Sequence, residues 1–339
     1  MSTVQKTGLV VAFSLLSTTA FAQNSEYSWQ PDRPINIIVP WSAGGSTDQV
    51  TRVVAPILSE ALGVEVVVVN QPGASGSIGT QAALDAPRDG YTWTANAIAN
   101  NATYAITGLL ENTSIDDYHI YLSVANVPVV SVNVDSPYQT FDELIEGMRS
   151  GDVTVGTAGI NSSGGMALAA VKEGAGEELP GARMITYDGG NPAVIAAASG
   201  EVVATTQLAV EQAEMIRAGR LRALAVLSDR ELIIGDTPAI PPVTDFYPAF
   251  HVAPDYFGVF IPVGAPQEVY DTVDQIWIDH IMNSDVVREY ASANGAVFAP
   301  SYGEGAYAAS MPVVIGEACA RVARGEAVVD PSEFGITCP

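Results

Sequence analysis

The fold class of this chain is decided by the stretch Ile35-Asn36-Ile37-Ile38-Val39-Pro40-Trp41-Ser42-Ala43-Gly44-Gly45-Ser46-Thr47-Asp48. A short apolar strand runs into two glycines and three cap-type residues, a pattern that predicts a strand followed at once by a helix. The first amides of such a helix have no partner inside it, and glycine lets a ligand approach the backbone. The stretch therefore predicts an anion site, although a strand–turn–helix without a ligand has the same pattern.

A second unit of the same kind follows about thirty residues later. Residues 66–70 form an apolar, β-rich run, residues 71–79 are rich in glycine and serine, and residues 80–84 have a helical pattern. Two strand–loop–helix units in succession indicate a parallel α/β sheet. Ligands bind such sheets outside the carboxyl ends of the strands, so both loops are expected at the same edge.

The rest of the chain continues the α/β alternation and suggests a second sheet. Strand patterns occur at residues 121–135, 153–156, 182–187, 202–208, 221–227 and 256–262. Helical patterns occur at residues 140–150, 210–218, 266–282, 284–294 and 303–323. Residues 23–130 with 250–339 are predicted to form a first lobe, and residues 131–249 a second one. The three last helices are expected to pack on the first lobe.

Charge and composition exclude two classes of partner. The formal net charge is −24, and such a surface repels nucleic acid and anionic membranes. Lys6 and Lys172 are the only lysines in the chain. An acidic, lysine-poor surface suits a saline medium, because salt screens the repulsion between like charges.

The N-terminus has the features of a secretory signal peptide at residues 1–22. Lys6 supplies the positive charge, residues 8–19 are apolar, and Ala20-Phe21-Ala22 is an A-x-A cleavage site. We therefore expect an exported, periplasmic protein; a cytoplasmic protein with an apolar tail is the alternative. Cys319 and Cys338 are then expected to form a disulfide, since a redox pair would more typically have a C-x-x-C motif.

The sequence lacks the common motifs of catalysis and of cofactor binding. The glycines at 73, 76 and 79 have the wrong spacing for a dinucleotide fingerprint, and neither a P-loop nor a G-x-S-x-G elbow occurs. His119, His251 and His280 are outside any metal-ligand pattern. We expect no catalytic residue, no metal and no cofactor. An exported hydrolase with an unrecognised site is the weaker alternative.

Several segments together resemble the tripartite tricarboxylate transporter substrate-binding proteins, the Bug-type extracytoplasmic solute receptors. They are residues 33–35, 39–41, 44–48, Arg52, 69–79, 89–92, 187–193, 200–202, 219–226 and 257–266. The resemblance implies an α/β, type II-like periplasmic binding protein fold. Two parallel or mixed sheets flanked by helices would enclose a cleft, with two crossover hinges.

The resemblance also implies the function and the partners. Such a receptor closes on a small mono- or dicarboxylate and delivers it to large and small integral membrane permease subunits. It would act as a monomer and without catalysis. A periplasmic sensor subunit that presents its ligand to a two-component kinase is the alternative, because both would use the same closed surface.

Candidate substrate-binding residues follow from the family's loops, position by position. They are Trp41, Ala43, Gly44, Gly45, Ser46 and Thr47 in the first loop; Ser75, Gly76, Ser77 and Ile78 in the second; Thr157, Ala158, Ser162 and Ser163 in the facing loop; and Tyr187 and Asp188 beside it. Gly164 and Gly165 stand where many relatives have a histidine, and the C-terminal tail with its cysteines departs from the family pattern.

Some of these residues have a structural interpretation too. Asp48 is expected to organise the first loop, because its carboxylate would repel an anionic ligand. Arg52 is expected to be an ion-pair partner. Trp41 could line the pocket or pack beneath the loop, and Tyr187 could be a strand-end tyrosine whose hydroxyl needs a partner.

Overall fold

The computed structural model describes residues 27–111, 113–176, 179–250 and 254–338. The predicted signal peptide and His251 lie outside these ranges. The described strands are β1 (Ile35–Val39), β2 (Val66–Asn70), β3 (Thr92–Ala97), β4 (Tyr118–Asn126), β5 (Val129–Asn133), β6 (Val153–Thr157), β7 (Ala182–Thr186), β8 (Ala204–Thr205), β9 (Leu221–Val226), β10 (Asp255–Pro262) and β11 (Val297–Tyr302).

These strands form two mixed sheets. The first sheet has the order β11-β4-β10-β3-β1-β2, and the second has the order β7-β6-β8-β5-β9. β1 is parallel to β2 and β3, whereas β10 is antiparallel to both of its neighbours. β6 is parallel to β7 and β8, and β5 is antiparallel to β8 and β9. The α/β fold with two sheets is confirmed.

The chain passes between the sheets twice. It leaves the first sheet after β4, and β5 already belongs to the second sheet, so the first crossover is at residues 127–128. The predicted boundary after residue 130 therefore falls inside a strand. The chain returns to the first sheet between β9 and β10. That the two parts move as independent lobes remains a prediction.

The helices cover the faces of both sheets. They are α1 (Ser46–Leu62), α2 (Ser77–Asp85), α3 (Ile98–Thr103), α4 (Phe141–Ser150), α5 (Ser163–Gly174), α6 (Gly190–Ser199), α7 (Ala209–Arg217), α8 (Gln267–Ile276), α9 (Asp285–Asn294) and α10 (Gly303–Ala323). α1 begins at Ser46, as predicted, and buries Val50, Val54 and Leu58 against the first sheet. α8, α9 and α10 also contribute to the apolar clusters beside that sheet.

Several elements differ from the sequence prediction. The predicted strand 121–135 is divided into β4 and β5, and α6 was not predicted. β8 is only two residues long, because the chain leaves the second sheet after Thr205 and turns toward the first sheet. β11 was not predicted; it is an edge strand that contains Pro300, which weakens the sequence pattern of a strand. α3 was not predicted either, since its sequence, Ile-Ala-Asn-Asn-Ala-Thr, is dominated by small and polar residues.

The two sheets share part of one apolar core. Leu208 is the cap of α7 on the side of the second sheet, and Val210 is the second residue of that helix. Both are buried in the cluster that packs on the first sheet. Cys319 and Cys338 form the predicted disulfide and tie α10 to the C-terminal segment. Within the described residues, no helix is both long and apolar enough to cross a membrane.

Candidate functional site

A small cavity lies between the two sheets, beside the start of α1. Its volume is about 20 Å³, room for about one water molecule. It is lined by Trp41, Ser46, Thr47, Asn100, Ala158, Ser162, Ser163, Gly190, Gln207, Leu208, Glu211 and Phe257. Six of these residues were predicted from the sequence: Trp41, Ser46, Thr47, Ala158, Ser162 and Ser163.

Asp48 is hydrogen-bonded to the first loop and to two neighbouring side chains. Its carboxylate accepts from the Gly44 N–H (2.8 Å), from Arg52 Nε (2.9 Å) and from Asn70 Nδ2 (2.9 Å). Burial by itself would raise the pKa of Asp48, but the hydrogen bonds from Arg52, Gly44 and Asn70 hold that pKa below its usual value. Gly44 has a φ of +81°, a conformation that favours glycine.

Trp41 fills both of the roles considered for it. Its side chain is buried, donates from Nε1 to Asn96 Oδ1 (2.9 Å) and lines the cavity. Gly76 lies directly against it, since a Cβ on Gly76 would lie 2.9 Å from Trp41 Cζ2. The second loop therefore packs behind Trp41.

Ser46, the first residue of α1, is hydrogen-bonded through its side chain and its backbone. Its Oγ accepts from Asn126 Nδ2 (2.7 Å), and its N–H donates to Glu211 Oε1 (2.7 Å). Glu211 belongs to α7, on the side of the second sheet. A carboxylate thus lies at the predicted anion site, and the chain itself supplies it.

Three other groups surround the Glu211 carboxylate. Oε2 accepts from the Leu208 N–H at 3.2 Å. With the amide oriented to satisfy its neighbours, Gln207 donates to Oε2 (2.9 Å) and accepts from the Ala158 N–H (2.7 Å). A Cβ on Gly190 would lie 2.0 Å from Oε1. Burial raises the pKa of Glu211 to about 7, although the hydrogen bonds from Ser46 and Leu208 oppose this shift.

Three helices begin around this carboxylate. Ser46 is the first residue of α1, Gly190 is the first residue of α6, and Leu208 is the cap of α7. The amino ends of helices carry partial positive charge, so their convergence favours a negative group between them. Among the residues that line the cavity there is no lysine or arginine. Recognition of an anion here would rely on amides and hydroxyls.

The facing loop is joined to the first sheet by a second buried carboxylate. Ser163 Oγ donates to Asp255 Oδ2 (2.6 Å), and the Ala99 N–H donates to Oδ1 (3.2 Å). Burial raises the pKa of Asp255 to about 7; Glu317 also raises it, whereas the two hydrogen bonds lower it. Ser162 caps α5 by accepting from the Gly165 N–H (3.1 Å).

Further hydrogen bonds connect the two parts of the chain. Asn100 Nδ2 donates to the Asn161 carbonyl (2.5 Å), and Asn161 Nδ2 donates to Thr107 Oγ1 (3.1 Å). Arg321 Nη2 on α10 donates to the Ile160 carbonyl at 3.1 Å. The facing loop is thus held against the first sheet from several sides.

Some predicted residues lie outside the cavity. The Tyr187 hydroxyl donates to Glu201 Oε1 (2.8 Å) on its own side, and burial together with this carboxylate raises the pKa of Tyr187 to about 12. Asp188 has an exposed side chain, and its carbonyl accepts from the Ser42 N–H (3.2 Å). Outside the cavity lining are also Ala43, Gly44, Gly45 and Thr157.

The second loop is the largest difference from the expectation. Tyr104 Oη donates to the Ser75 carbonyl (3.1 Å), and Ser77 Oγ donates to the Ala74 carbonyl (3.0 Å). Half of the Ile78 side chain is exposed. None of Ser75, Gly76, Ser77 and Ile78 lines the cavity in this structure.

Three of the six lining residues that the sequence analysis missed lie in one segment: Gln207, Leu208 and Glu211. The other three are Asn100, Gly190 and Phe257. Glu211, near the start of the helix predicted at residues 210–218, was a local signal of helix capping. Gln207, a polar residue at the end of a predicted strand, was a signal of the sheet edge where ligands bind. Gly164 explains why Gln207 fits, since a Cβ on Gly164 would lie 2.6 Å from the nearest atom of the Gln207 amide. A larger residue at 164 would displace this amide.

The described residues contain no group of three or more His, Cys, Asp and Glu side chains that could hold a metal ion.

The two sheets, the two crossovers and the cleft between helix amino ends define the fold of two-lobed periplasmic binding proteins. The solved structure of the periplasmic binding protein BugD is similar, with a TM-score of 0.77 and 24% identity over 88% of this chain and 99% of that one. An R. palustris protein, Rpa4515, solved with adipate, has a TM-score of 0.75 and 23% identity over 88% and 99%.

Sequence comparisons identify the family. The sequence model of the family described as "Tripartite tricarboxylate transporter family receptor" matches residues 50–301. Protein BugT of Bordetella pertussis is 34% identical over 298 residues, which are 85% of this chain and 88% of that protein. The chain belongs to the tripartite tricarboxylate transporter receptor family, as the sequence resemblance predicted.

Proposed function

We propose that this protein is an exported receptor that binds a small mono- or dicarboxylate between its two sheets. One observation carries the proposal: the backbone N–H of Ser46, at the start of α1, already binds a carboxylate. It donates to the chain's own Glu211 Oε1, 2.7 Å away. The position is enclosed by the first residues of helices from both sides of the cleft. A carboxylate gains charge-assisted hydrogen bonds there without a basic side chain.

The absence of a basic residue from the cavity lining has a measurable consequence. The Arg52 guanidinium is engaged by Asp48 and by Asn70 Oδ1 (3.0 Å), and Arg52 is not among the lining residues. Binding should therefore depend only weakly on salt, in contrast to a site that clamps its ligand with arginine.

The receptor would deliver its ligand to large and small membrane permease subunits after export by the signal peptide at residues 1–22. This step is supported by the family and by the A-x-A site, Ala20-Phe21-Ala22. A monomer that contains no cofactor and performs no catalysis is sufficient for this role. A sensor subunit would use the same closed surface; neighbouring genes for permease subunits favour transport, and a histidine kinase gene favours sensing.

Ligand capture can be tested directly. Native mass spectrometry of freshly purified protein should show a bound organic acid, and a panel of mono- and dicarboxylates should raise the melting temperature. Thermal shifts by neutral sugars or amines, without a shift by any carboxylate, would refute the proposal. Turnover of a bound ligand by the pure protein would support the hydrolase alternative.

A matched pair of glycine variants separates binding from folding. A Cβ on Gly45 would lie 3.5 Å from Glu211 Oε1, so the larger Gly45→Val places methyl groups at the cavity and should abolish carboxylate binding. Gly305 is an exposed glycine of α10, and a Cβ there meets nothing within 4 Å. Gly305→Val should leave binding intact.

A further inference from the structure

We infer that Glu211 occupies the position of the ligand's carboxylate, and that a ligand binds by exchanging its own carboxylate for that of Glu211. This inference rests on the proposed function and adds a residue that determines how the site takes its ligand. It also defines the ligand chemistry: the entering group must replace a carboxylate among neutral amide donors.

The geometry of Glu211 is that of a bound carboxylate. Oε1 accepts from Ser46 N–H (2.7 Å), and Oε2 accepts from Leu208 N–H (3.2 Å) and from the Gln207 amide (2.9 Å). Gly190 provides the space, since any Cβ there would overlap Oε1 at 2.0 Å. Donors from both sides of the cleft therefore converge on one side chain, which is nine-tenths buried.

A capping role for α7 does not account for this arrangement. In a capping box, the glutamate at the third helical position reaches back to the amide of the cap residue, as Oε2 does with Leu208. Glu143 of α4 has this role: its Oε2 accepts from the Gln139 and Thr140 amides (2.6 and 3.3 Å), and both contacts are local. Glu211 differs because Oε1 crosses the cleft to residue 46.

Glu211 and a ligand carboxylate cannot share this position. The remaining cavity of about 20 Å³ has room for about one water molecule and is too small for a carboxylic acid. The Ser46 amide has a single hydrogen to donate, and two carboxylates side by side would repel each other. Entry of the ligand therefore removes Glu211 from Ser46 and separates the two sheets locally.

The exchange can be tested with acetate, which matches the CH2–COO⁻ group that Glu211→Ala removes. Glu211→Ala vacates the position, so acetate in the millimolar range should bind and raise the melting temperature in a saturable manner. The wild-type protein should need about tenfold more acetate for the same effect, since acetate must first displace Glu211. Acetamide, a neutral analogue, and chloride at the same ionic strength serve as controls.

Glu143→Ala is the matched control variant. It removes a capping glutamate in the same way, but its carboxylate lies on α4, away from the cleft. It should lose stability without recovery by acetate. Equal recovery of both variants, or none for Glu211→Ala, would overturn the inference.

Affinity for a carboxylate found in the ligand panel gives the second readout. If Glu211 fills the position nine-tenths of the time, its removal should lower the apparent Kd about tenfold. Glu211→Gln keeps the size of the side chain and one acceptor oxygen but loses the charge. It should therefore fold even if Glu211→Ala does not. We expect tighter binding than in the wild type; weaker binding by folded Glu211→Gln would show that the carboxylate contacts the ligand, and would overturn the exchange.

The two proposals can fail separately. If wild-type protein binds a carboxylate but acetate does not bind Glu211→Ala, the exchange is wrong and the receptor function stands. If no carboxylate binds the wild type or either Glu211 variant, both are wrong.

Discussion

Two carboxylates beside the first turn of α1 have opposite surroundings. Asp48 accepts hydrogen bonds from a guanidinium, an amide and a backbone N–H, and its pKa is lowered. Glu211 is enclosed among neutral groups, and burial raises its pKa to about 7. The charged form of the same functional group is therefore favoured at one position and disfavoured at the other, because local solvation and charge differ.

Removal of the Asp48 carboxylate should loosen the first loop. Asp48→Ala leaves the Gly44 amide and Arg52 without their acceptor, so we expect a loss of about 3 kcal/mol in the free energy of unfolding, measured by urea denaturation. Asp152→Ala is the control, since it removes an exposed carboxylate that also binds an arginine, Arg183. Equal losses for the two variants would contradict the organising role of Asp48.

Stability should fall as the pH rises from about 4.5 to about 7. Burial raises the pKa of both Glu211 and Asp255 to about 7, above their ordinary values of 4.5 and 3.8. In this range the folded protein holds more protons than the unfolded chain, so the free energy of unfolding decreases with pH. Melting curves across the range should show this slope.

Asp255→Asn tests the origin of that slope. The amide keeps an acceptor for the Ala99 N–H and has no proton to release, so the variant should lose part of the slope. Asp330→Asn is a control on an exposed turn and should keep the slope. A slope that is unchanged in Asp255→Asn would assign it to other groups.

At the scale of elements, the C-terminal segment is connected to the site through α10. Cys319 links α10 to Cys338, and Arg321, half a turn further along, contacts the facing loop at the Ile160 carbonyl. The disulfide thus stabilises a helix that also supports the cleft. None of the cavity-lining residues lies between the two cysteines.

Loss of the disulfide should affect stability more than binding. The bond closes a loop with a sequence separation of 19, for which the chain-entropy description gives about 3 kcal/mol. Cys319→Ser with Cys338→Ser should lower the melting temperature, as should reduction of the wild type, with ligand affinity nearly unchanged. A large loss of affinity in the folded double variant would show that α10 positions the site.

At the scale of the whole molecule, two crossovers and a hydrogen-bonded cleft suggest hinge motion. Asn161 and Ser163 donate across the cleft to Thr107 and Asp255. Asn161→Ala with Ser163→Ala should therefore enlarge the radius of gyration in small-angle scattering, and a bound carboxylate should reduce it again. Ser199→Ala is the control, because its hydroxyl bonds only within α6. Identical scattering from both variants would argue against a hinge.

The net charge predicts a response to salt. With a formal charge of −24, repulsion within the folded protein should diminish as the Debye length falls from about 10 Å at 0.1 M to about 3 Å at 1 M salt. The melting temperature should rise over this range in sodium chloride. Greater stability at low ionic strength would refute the saline-habitat hypothesis.

Local sequence patterns determined most of the fold. Apolar runs, glycines and cap residues predicted the strand–loop–helix units, the start of α1 at Ser46 and the return strand β10, because these signals act between residues close in the chain. The composition of the N-terminus and the cysteine pair predicted an exported protein with a disulfide. The first loop could be predicted as part of an anion site for the same local reasons, whereas the facing loop was proposed only through the resemblance to the family.

The tertiary structure alone decided which groups meet in the cleft. Glu211 reaches Ser46 across 165 positions of sequence, and Gln207 fits only because Gly164 leaves room for its amide. The tertiary structure also placed the second loop behind Trp41 and paired Tyr187 with Glu201. No local pattern encodes these contacts, because they depend on how the two sheets close on each other and on which buried polar groups then satisfy one another.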